Sequence, residues 1–275
     1  MKYGFVLPHG DARWAADCAR QAEQSGWDGF FVYETVWGTD AWVSLTAAAM
    51  LTQHIRLGTL ITPLSRMRPW RLASQTATLD HLSGGRVILS VGLGAIDTGF
   101  ADFGEVTDRK LRAQLLEEGL DILTGLWKGQ PFSYEGRHYR VRPCQFPHRP
   151  PSPVQQPRIP IWVAAAWKPE QPDNPSMLRA LRYDGILINV FDPQGQSRPL
   201  QPSDMAQVRA FCGDGPTLVA EGCTPGDSPG QAAETLSPWI EAGADWWIEA
   251  DWTAPDSAEG RESIWRRLSQ GPPPG

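Results

Sequence analysis

Residues 55–94, IRLGTLITPLSRMRPWRLASQTATLDHLSGGRVILSVGLG, constrain the fold more than any other stretch of the chain. Residues 55–62 are rich in β-branched and aliphatic side chains, the composition of a strand buried on both faces, and Pro63 is expected to stop it. Pro69 opens a helix, where its missing N–H costs nothing. Leu72, Thr76, Leu79 and Leu82 then recur at helical spacing. Ser83-Gly84-Gly85 ends that helix, because glycine takes the left-handed cap. Residues 87–91 form a second buried strand. Two such strands joined through a helix are parallel, with a right-handed crossover.

The same alternation runs from end to end. Strands are expected at residues 3–7, 29–33, 161–165, 185–189, 217–220 and 246–248. Helices are expected over 11–25, 40–52, 108–127, 174–183, 203–212, 229–242 and 259–270, with Asp11 and Asp40 as N-caps. Leu111, Leu115, Ile122 and Leu126 mark one side of the longest helix. Residues 132–141 break the pattern and read as a small β-hairpin turning at Glu135-Gly136, inserted after the fourth helix. Three junctions repeat a helix end, an aspartate and a buried strand: Gly26-Trp27-Asp28-Gly29, Tyr183-Asp184-Gly185 and Gly243-Ala244-Asp245-Trp246. Eight such units define an α/β chain folded as a single (β/α)8 TIM barrel over residues 1–271; a doubly wound sheet would not need eight. Residues 272–275, a proline-rich end, are expected to be a disordered tail.

At 275 residues the chain is long enough to bury about three quarters of its unfolded surface. A net charge of −6 argues against nucleic acid as a partner. No apolar run is long enough to cross a membrane and no signal peptide is visible, so the cytoplasm is the expected compartment. Cys18, Cys144, Cys212 and Cys223 form no paired motif, and the five histidines show no metal spacing, so no metal is expected.

In a barrel, chemistry sits where strands end and helices begin. His9 follows the first strand, Glu34 the second, Thr62 ends the third, and Gly92, Gly94 and Asp97 follow the fourth. Ala165, Ala166 and Trp167 follow the fifth, Asn189 ends the sixth, Glu221 the seventh, and Glu249 and Asp251 the eighth. Of 13 tryptophans, Trp127, Trp239, Trp246 and Trp247 read as core, whereas Trp37, Trp70 and Trp167 fall near loops where they can line a flat aromatic ligand. Gly92-Leu93-Gly94 begins like a dinucleotide fingerprint, but the third glycine position holds Asp97. Gly226-Asp227-Ser228-Pro229-Gly230 fits the pattern of serine hydrolases, but Pro229 lacks the N–H that an oxyanion needs. Ser228 reads instead as an N-cap, with Gln231 completing a capping box. That helix start is also a place where barrels bind phosphate, although Asp227 would oppose an anion. Arg66, Arg68 and Arg71 read as a solvated basic loop or as an anion contact. Glu34, Glu221, Glu249 and Asp251 would equally serve a carboxylate-dependent hydrolase.

The stretch LGTLITPLSRMRPWRLASQTATLDHLSGGRVILSVGLG resembles the central signature of the luciferase-like flavin-dependent oxidoreductases. FADFGEVTDRKLRAQLLEEGLDILTGLW, PFSYEGRHYRV, PRIPIWVAAAW and RALRYDGILIN follow in that family's order. The resemblance covers almost the whole chain. It implies a (β/α)8 barrel with FMN or the deazaflavin F420 in its mouth. An FMN monooxygenase, using reduced flavin from a separate reductase and O2 on a small organic substrate, is the leading expectation. An F420-dependent hydride-transfer enzyme and a non-catalytic flavin-binding relative are the alternatives. By position the resemblance assigns Thr62, Gly92, Gly94, Ala165, Ala166, Trp167 and Asn189 to the cofactor. His9 or Glu34 is the expected proton-transfer residue, and Trp37, Trp70 and Glu249 are the expected substrate contacts. The resemblance also implies a homodimer. Two departures stand out: Leu93 replaces the arginine with which luciferase helps hold the flavin phosphate, and Val91 replaces its reactive cysteine. The phosphate would then fall to the loops after the fifth and sixth strands. The segment between the sixth and eighth strands is short, which implies a more open mouth or a different lid.

Overall fold

The computed structural model describes residues 1–273 and shows, among them, eight parallel barrel strands alternating with eight α-helices. The order is β1 (Lys2–Leu7), α1 (Ala12–Gln24), β2 (Gly29–Val32), α2 (Ala41–Leu51), β3 (Arg56–Thr59), α3 (Pro69–Ser83), β4 (Val87–Gly92) and α4 (Arg109–Trp127). It continues with β5 (Ile161–Trp167), α5 (Pro175–Ala180), β6 (Gly185–Phe191), α6 (Pro202–Cys212), β7 (Thr217–Gly222), α7 (Pro229–Glu241), β8 (Trp246–Glu249) and α8 (Ala258–Ser269). Each strand pairs in parallel with its neighbours in sequence, and β8 pairs with β1, Lys2 lying opposite Trp246. The sheet is therefore closed, a (β/α)8 barrel.

Strand side chains alternate between two apolar environments. One set, including Phe5, Phe30, Leu57, Leu89 and Val163, packs outward against the helices. The other, including Val6, Phe31, Leu60, Ile88, Trp162, Val219, Trp246 and Ile248, fills the barrel. Three large rings occupy the floor: Phe31 stacks on Trp162 at 5.6 Å, and Trp246 meets Trp162 edge-on at 5.2 Å. Glycines make the room. A Cβ at Gly29 would lie 2.8 Å from the Phe31 ring, and one at Gly185 would lie 2.3 Å from Trp162. The floor is thus a packed core, not a pore.

The three aspartate junctions have one structural meaning. The carboxylate of Asp28, just before β2, accepts the N–H of Tyr3 in β1 at 2.8 Å. Asp184 before β6 accepts the N–H of Ile161 in β5 at 2.9 Å, and Asp245 before β8 accepts that of Leu218 in β7 at 2.7 Å. Each aspartate ties the start of its own strand to the start of the previous one, satisfying a donor that the ladder leaves over.

Several expectations hold in outline and shift in detail. Asp11, Asp40, Asp108 and Asn174 cap their helices, Pro69 stands at the first turn of α3, and Gly84 ends it at φ 68°. The strand expected over 55–62 is broken: β3 stops at Thr59, a cis peptide bond joins Leu60 to Ile61, and Thr62–Pro63 pairs separately with Val91 and Gly92. Leu82 is exposed; on α4 the expected Ile122 is buried together with Leu116, Leu120 and Leu123, whereas Leu111, Leu115 and Leu126 are only half-buried. The hairpin pairs Tyr134–Glu135 with Arg140–Val141, so its turn lies beyond Gly136. Ser228 occupies the N-cap position of α7, yet its side chain accepts no N–H, so the expected capping box is absent. The capping box sits on α6 instead, between Gln201 and Asp204. A short strand that the sequence did not announce, Ser197–Arg198, pairs antiparallel with the end of β6. Of the expected tail, Pro272 is half-buried and Pro273 buried, whereas residues 274–275 lie outside the described residues. Among the described residues, no helix is long and apolar enough to cross a membrane.

Candidate functional site

A cavity of 830 Å³ opens at the C-terminal end of the barrel, over the ends of β3 to β7. Its apolar wall comes from Leu60, Ile61, Ala164, Leu187 and Val219, and Trp252, after β8, closes one side. A separate cavity of 450 Å³ lies beside it, between the ends of β1 and β2 and the first turns of α1 and α2. Tyr33 lines the second cavity and meets the Trp252 ring edge-on at 5.7 Å, so these two side chains stand where the cavities approach each other.

Alternation along the strands decides which residues face the larger cavity. On β5, Trp162 points inward, so Ala164 and Ala166 do as well, whereas Ala165 and Trp167 point outward. Trp167 is therefore not a cofactor wall: it is 3% exposed and packs near Phe211 at 5.9 Å. Ala165 reaches the cavity only along the strand backbone. Asn189 on β6 lines the cavity, and so does Gly94, whose φ of 79° few other residues would adopt. Gly92 does not line it. A Cβ there would lie 2.4 Å from the Ile61 side chain, so this glycine is needed to seat Ile61. Thr62 is fully buried, its hydroxyl donating to that of Thr59 at 3.0 Å.

The expected catalytic pair is split. His9 lines the smaller cavity; both ring nitrogens are buried without a hydrogen bond, and Nδ1 stands 3.3 Å from the Asp256 carboxylate. Glu34 lines neither cavity. It is locked to Arg66 at 3.2 Å with both side chains 12% exposed. Burial pushes its carboxyl above the ordinary value, against the opposing pull of Arg66, Thr62 and Trp42. That pairing also removes Arg66 from any anion role. Trp37 lies at the edge of the smaller cavity, 82% exposed and stacked near Phe103 at 6.1 Å. Trp70 packs edge-on to Tyr139 of the hairpin at 6.2 Å, away from both cavities. Glu249 is not a substrate contact. It points outward from β8, pairs with Arg267 at 3.1 Å, and accepts the N–H and hydroxyl of Thr224 at 2.8 and 2.7 Å.

The cations of the larger cavity were not among the expected residues. Arg109 and Arg112 begin α4 and Arg198 lies on the short strand beside β6; all three line it. Arg198 is already held by Asp204 through two contacts of 2.6 Å. Arg109 and Arg112 have no carboxylate partner among the described residues. Arg112 donates one N–H₂ group to the carbonyls of Leu93 and Gly94, at 2.8 and 3.0 Å, while its Nε is buried and unpartnered. Burial first, and the neighbouring Arg109 second, hold the Arg112 guanidinium below its ordinary pKa. Two arginines three residues apart on one helix face, directly after the glycine loop of β4, were the available sequence signal.

The pattern described as the luciferase-like monooxygenase family matches residues 3–245 of the chain. A putative coenzyme F420-dependent oxidoreductase of Mycobacterium tuberculosis is 35% identical over 145 residues, 51% of this chain and 41% of that protein. The chain spans less than half the length of such curated relatives, 43% and 41% for two of them. Among solved structures, the coenzyme F420-dependent tetrahydromethanopterin reductase of Methanopyrus kandleri is similar with a TM-score of 0.75 at 18% identity, covering 98% of both chains. The oxygenating constituent of 3,6-diketocamphane monooxygenase of Pseudomonas putida, in complex with FMN, is similar with a TM-score of 0.70 at 16% identity, covering 98% of this chain and 96% of the other. At these identities the two structures speak to the fold.

Proposed function

Because the chain belongs to the luciferase-like monooxygenase family, we propose that it is an oxidoreductase that holds a flavin-type cofactor in the larger cavity, with F420 favoured over FMN. The observation that carries this reading is the pair Arg109 and Arg112, two guanidinium groups on the cavity wall without a carboxylate partner among the described residues, the Arg112 Nε being buried and unpartnered. A buried, unpaired cation with an orphaned Nε is costly unless an anion completes it, and flavin-type cofactors bring a phosphate. Arg109, Arg112 and Ser176 would hold the anionic tail, and Leu60, Ile61, Ala164 and Leu187 would flank the ring system and exclude water from it. The cofactor supplies the hydride or oxygen chemistry. An F420 tail carries further negative charge beyond its phosphate, which suits an arginine-lined rim better than a single FMN phosphate does. The relative of Mycobacterium tuberculosis named above points the same way.

The apolar wall favours a second reading, an FMN monooxygenase fed with reduced flavin by a separate reductase. An oxygenating flavin needs shielding from water, and that wall provides it. A homodimer is proposed through the outer face of α2, where Val43, Met50 and Leu51 are exposed.

Titrating the protein with F420, FMN and phosphate-free riboflavin while following tryptophan fluorescence tests the assignment. F420 is expected to bind more tightly than FMN, and FMN more tightly than riboflavin. Arg112→Met should cost both phosphate-bearing cofactors about tenfold or more in affinity and leave riboflavin unchanged. Equal binding of FMN and riboflavin by the unaltered protein would remove the arginine site. Absence of binding by all three would remove the cofactor reading.

A further inference from the structure

Four carboxylates stand at the ends of barrel strands or just after them, and their surroundings differ in one respect. Glu34 is paired with Arg66, Glu249 with Arg267 and Thr224, and Asp251 accepts the N–H and hydroxyl of Thr253. Neither Asp251 nor Glu221 has a cationic partner among the described residues, and of the four carboxylates Glu221 alone lines the larger cavity. On β7, Val219 points into the barrel and Ala220 outward, so Glu221 points inward again, above Val219 and into the larger cavity. The titratable side chains lining that cavity are Arg109 and Arg112 from α4, Arg198 from beside β6, and Glu221. Arginine does not release its proton near neutral pH, so among the described residues lining the cavity Glu221 is the one carboxyl able to exchange a proton. Trp252 stands next to it on the cavity wall, and the Cys223 thiol two residues on feels its charge. Glu221 is itself exposed at the open mouth of the cavity; partial desolvation by the surrounding walls raises its carboxyl above the ordinary value, with Trp252 offsetting part of the rise.

We propose that Glu221 is the proton donor and acceptor of the larger cavity, serving the reduction of a carbonyl or imine carbon, or the reverse oxidation of an alcohol or amine. This rests on the oxidoreductase reading above. When such a carbon accepts a hydride from a reduced flavin or deazaflavin, the C=O or C=N π pair moves onto oxygen or nitrogen and must take up a proton. The protonated carboxyl of Glu221 supplies that proton and is left as carboxylate, which solvent reprotonates. The substrate gains two electrons and two hydrogens, and the cofactor is oxidised by two electrons. In the reverse direction Glu221 takes the hydroxyl or amine proton as the hydride leaves. His9, in the smaller cavity, and Glu34, locked to Arg66, lack this access. A cavity whose proton-exchanging group is a carboxyl also disfavours substrates with an anion at the β7 side.

Two measurements on the full chain decide the matter. In the cofactor-free protein with carbon-13 at glutamate carboxyls, NMR should show, besides the resonance of Glu34, a second one titrating above the ordinary glutamate range and missing from Glu221→Gln. Simple ketones and aldehydes are then offered with reduced F420 or reduced FMN. Glu221→Gln should lower turnover by about 100-fold while cofactor affinity moves less than about twofold, and Glu221→Asp should recover part of the loss. A Glu221 resonance in the ordinary range overturns the proposal, as does Glu221→Gln turning over within about threefold of the unaltered protein. If neither cofactor binds, the oxidoreductase reading fails separately. In that case, or if no panel member reacts, the NMR titration alone upholds or overturns Glu221 as the proton-holding group.

Discussion

At the N-terminal end of the barrel, charged side chains are tied to backbone. Arg86, 7% exposed, donates to the carbonyls of Ser83, Ile55, Ala49 and Thr52 and to the Thr52 hydroxyl, at 2.7 to 3.2 Å. Glu23 accepts the N–H groups of Gln53, His54 and Ile55, and Asp28, Asp184 and Asp245 clamp successive strands. At the C-terminal end, buried polar atoms are left without partners: both nitrogens of His9, one oxygen of Glu34, the Ser65 hydroxyl, and Nε of Arg66 and Arg112. The N-terminal end is the more fully satisfied of the two, the Nε of Arg158 being an exception, and the C-terminal end, where the cavities lie, carries more of the unpartnered groups.

The largest test of that contrast falls at the paired end. Arg86→Met strands several buried carbonyls at once and should cost about 3–5 kcal/mol in urea unfolding while leaving F420 and FMN affinity unchanged. A cost below about 1 kcal/mol would mean that the N-terminal end is less tightly tied than its hydrogen bonds imply. Next comes Asp184→Ala. It removes the clamp on Ile161 and a half-exposed ion pair with Arg158, and should cost about 1–2 kcal/mol by the same assay, again without effect on cofactor binding.

The smallest effect belongs to the mouth and carries the opposite sign. Glu221, exposed at the mouth, has a carboxyl raised by partial desolvation, so the folded protein holds that proton somewhat more tightly than the unfolded chain. As pH rises through the ordinary glutamate range toward the folded value, the unfolded chain ionises first and folding is penalised. Glu221→Gln should therefore raise the melting temperature at pH 8, and the gap should close below the ordinary glutamate range. A variant less stable than the unaltered protein at pH 8 would assign Glu221 to structure and blur the difference between the two ends.

Much of the barrel was legible because its signals are local. The caps at Asp11, Asp40 and Asn174, the proline at the start of α3 and the glycine at its end act within one turn of chain. The repeated aspartate before β2, β6 and β8 was visible as a pattern, although its bond to the preceding strand was not. The break at Leu60–Ile61 was hidden, since a buried strand and a buried bend share the same apolar composition.

The sequence by itself determined the alternation of strand and helix, the closure into eight units and the rim on which the site residues lie. The tertiary structure alone decided which of those residues face the cavity. Barrel strands are apolar on both sides, so their composition carries no sign of inside or outside, and a shift of one residue reverses the answer. That is why Ala164 and Glu221 line the cavity while Trp167 and Glu249 face the helices. It is also why Arg109 and Arg112, on a helix after β4, meet Arg198 from beside β6 only once the barrel has closed.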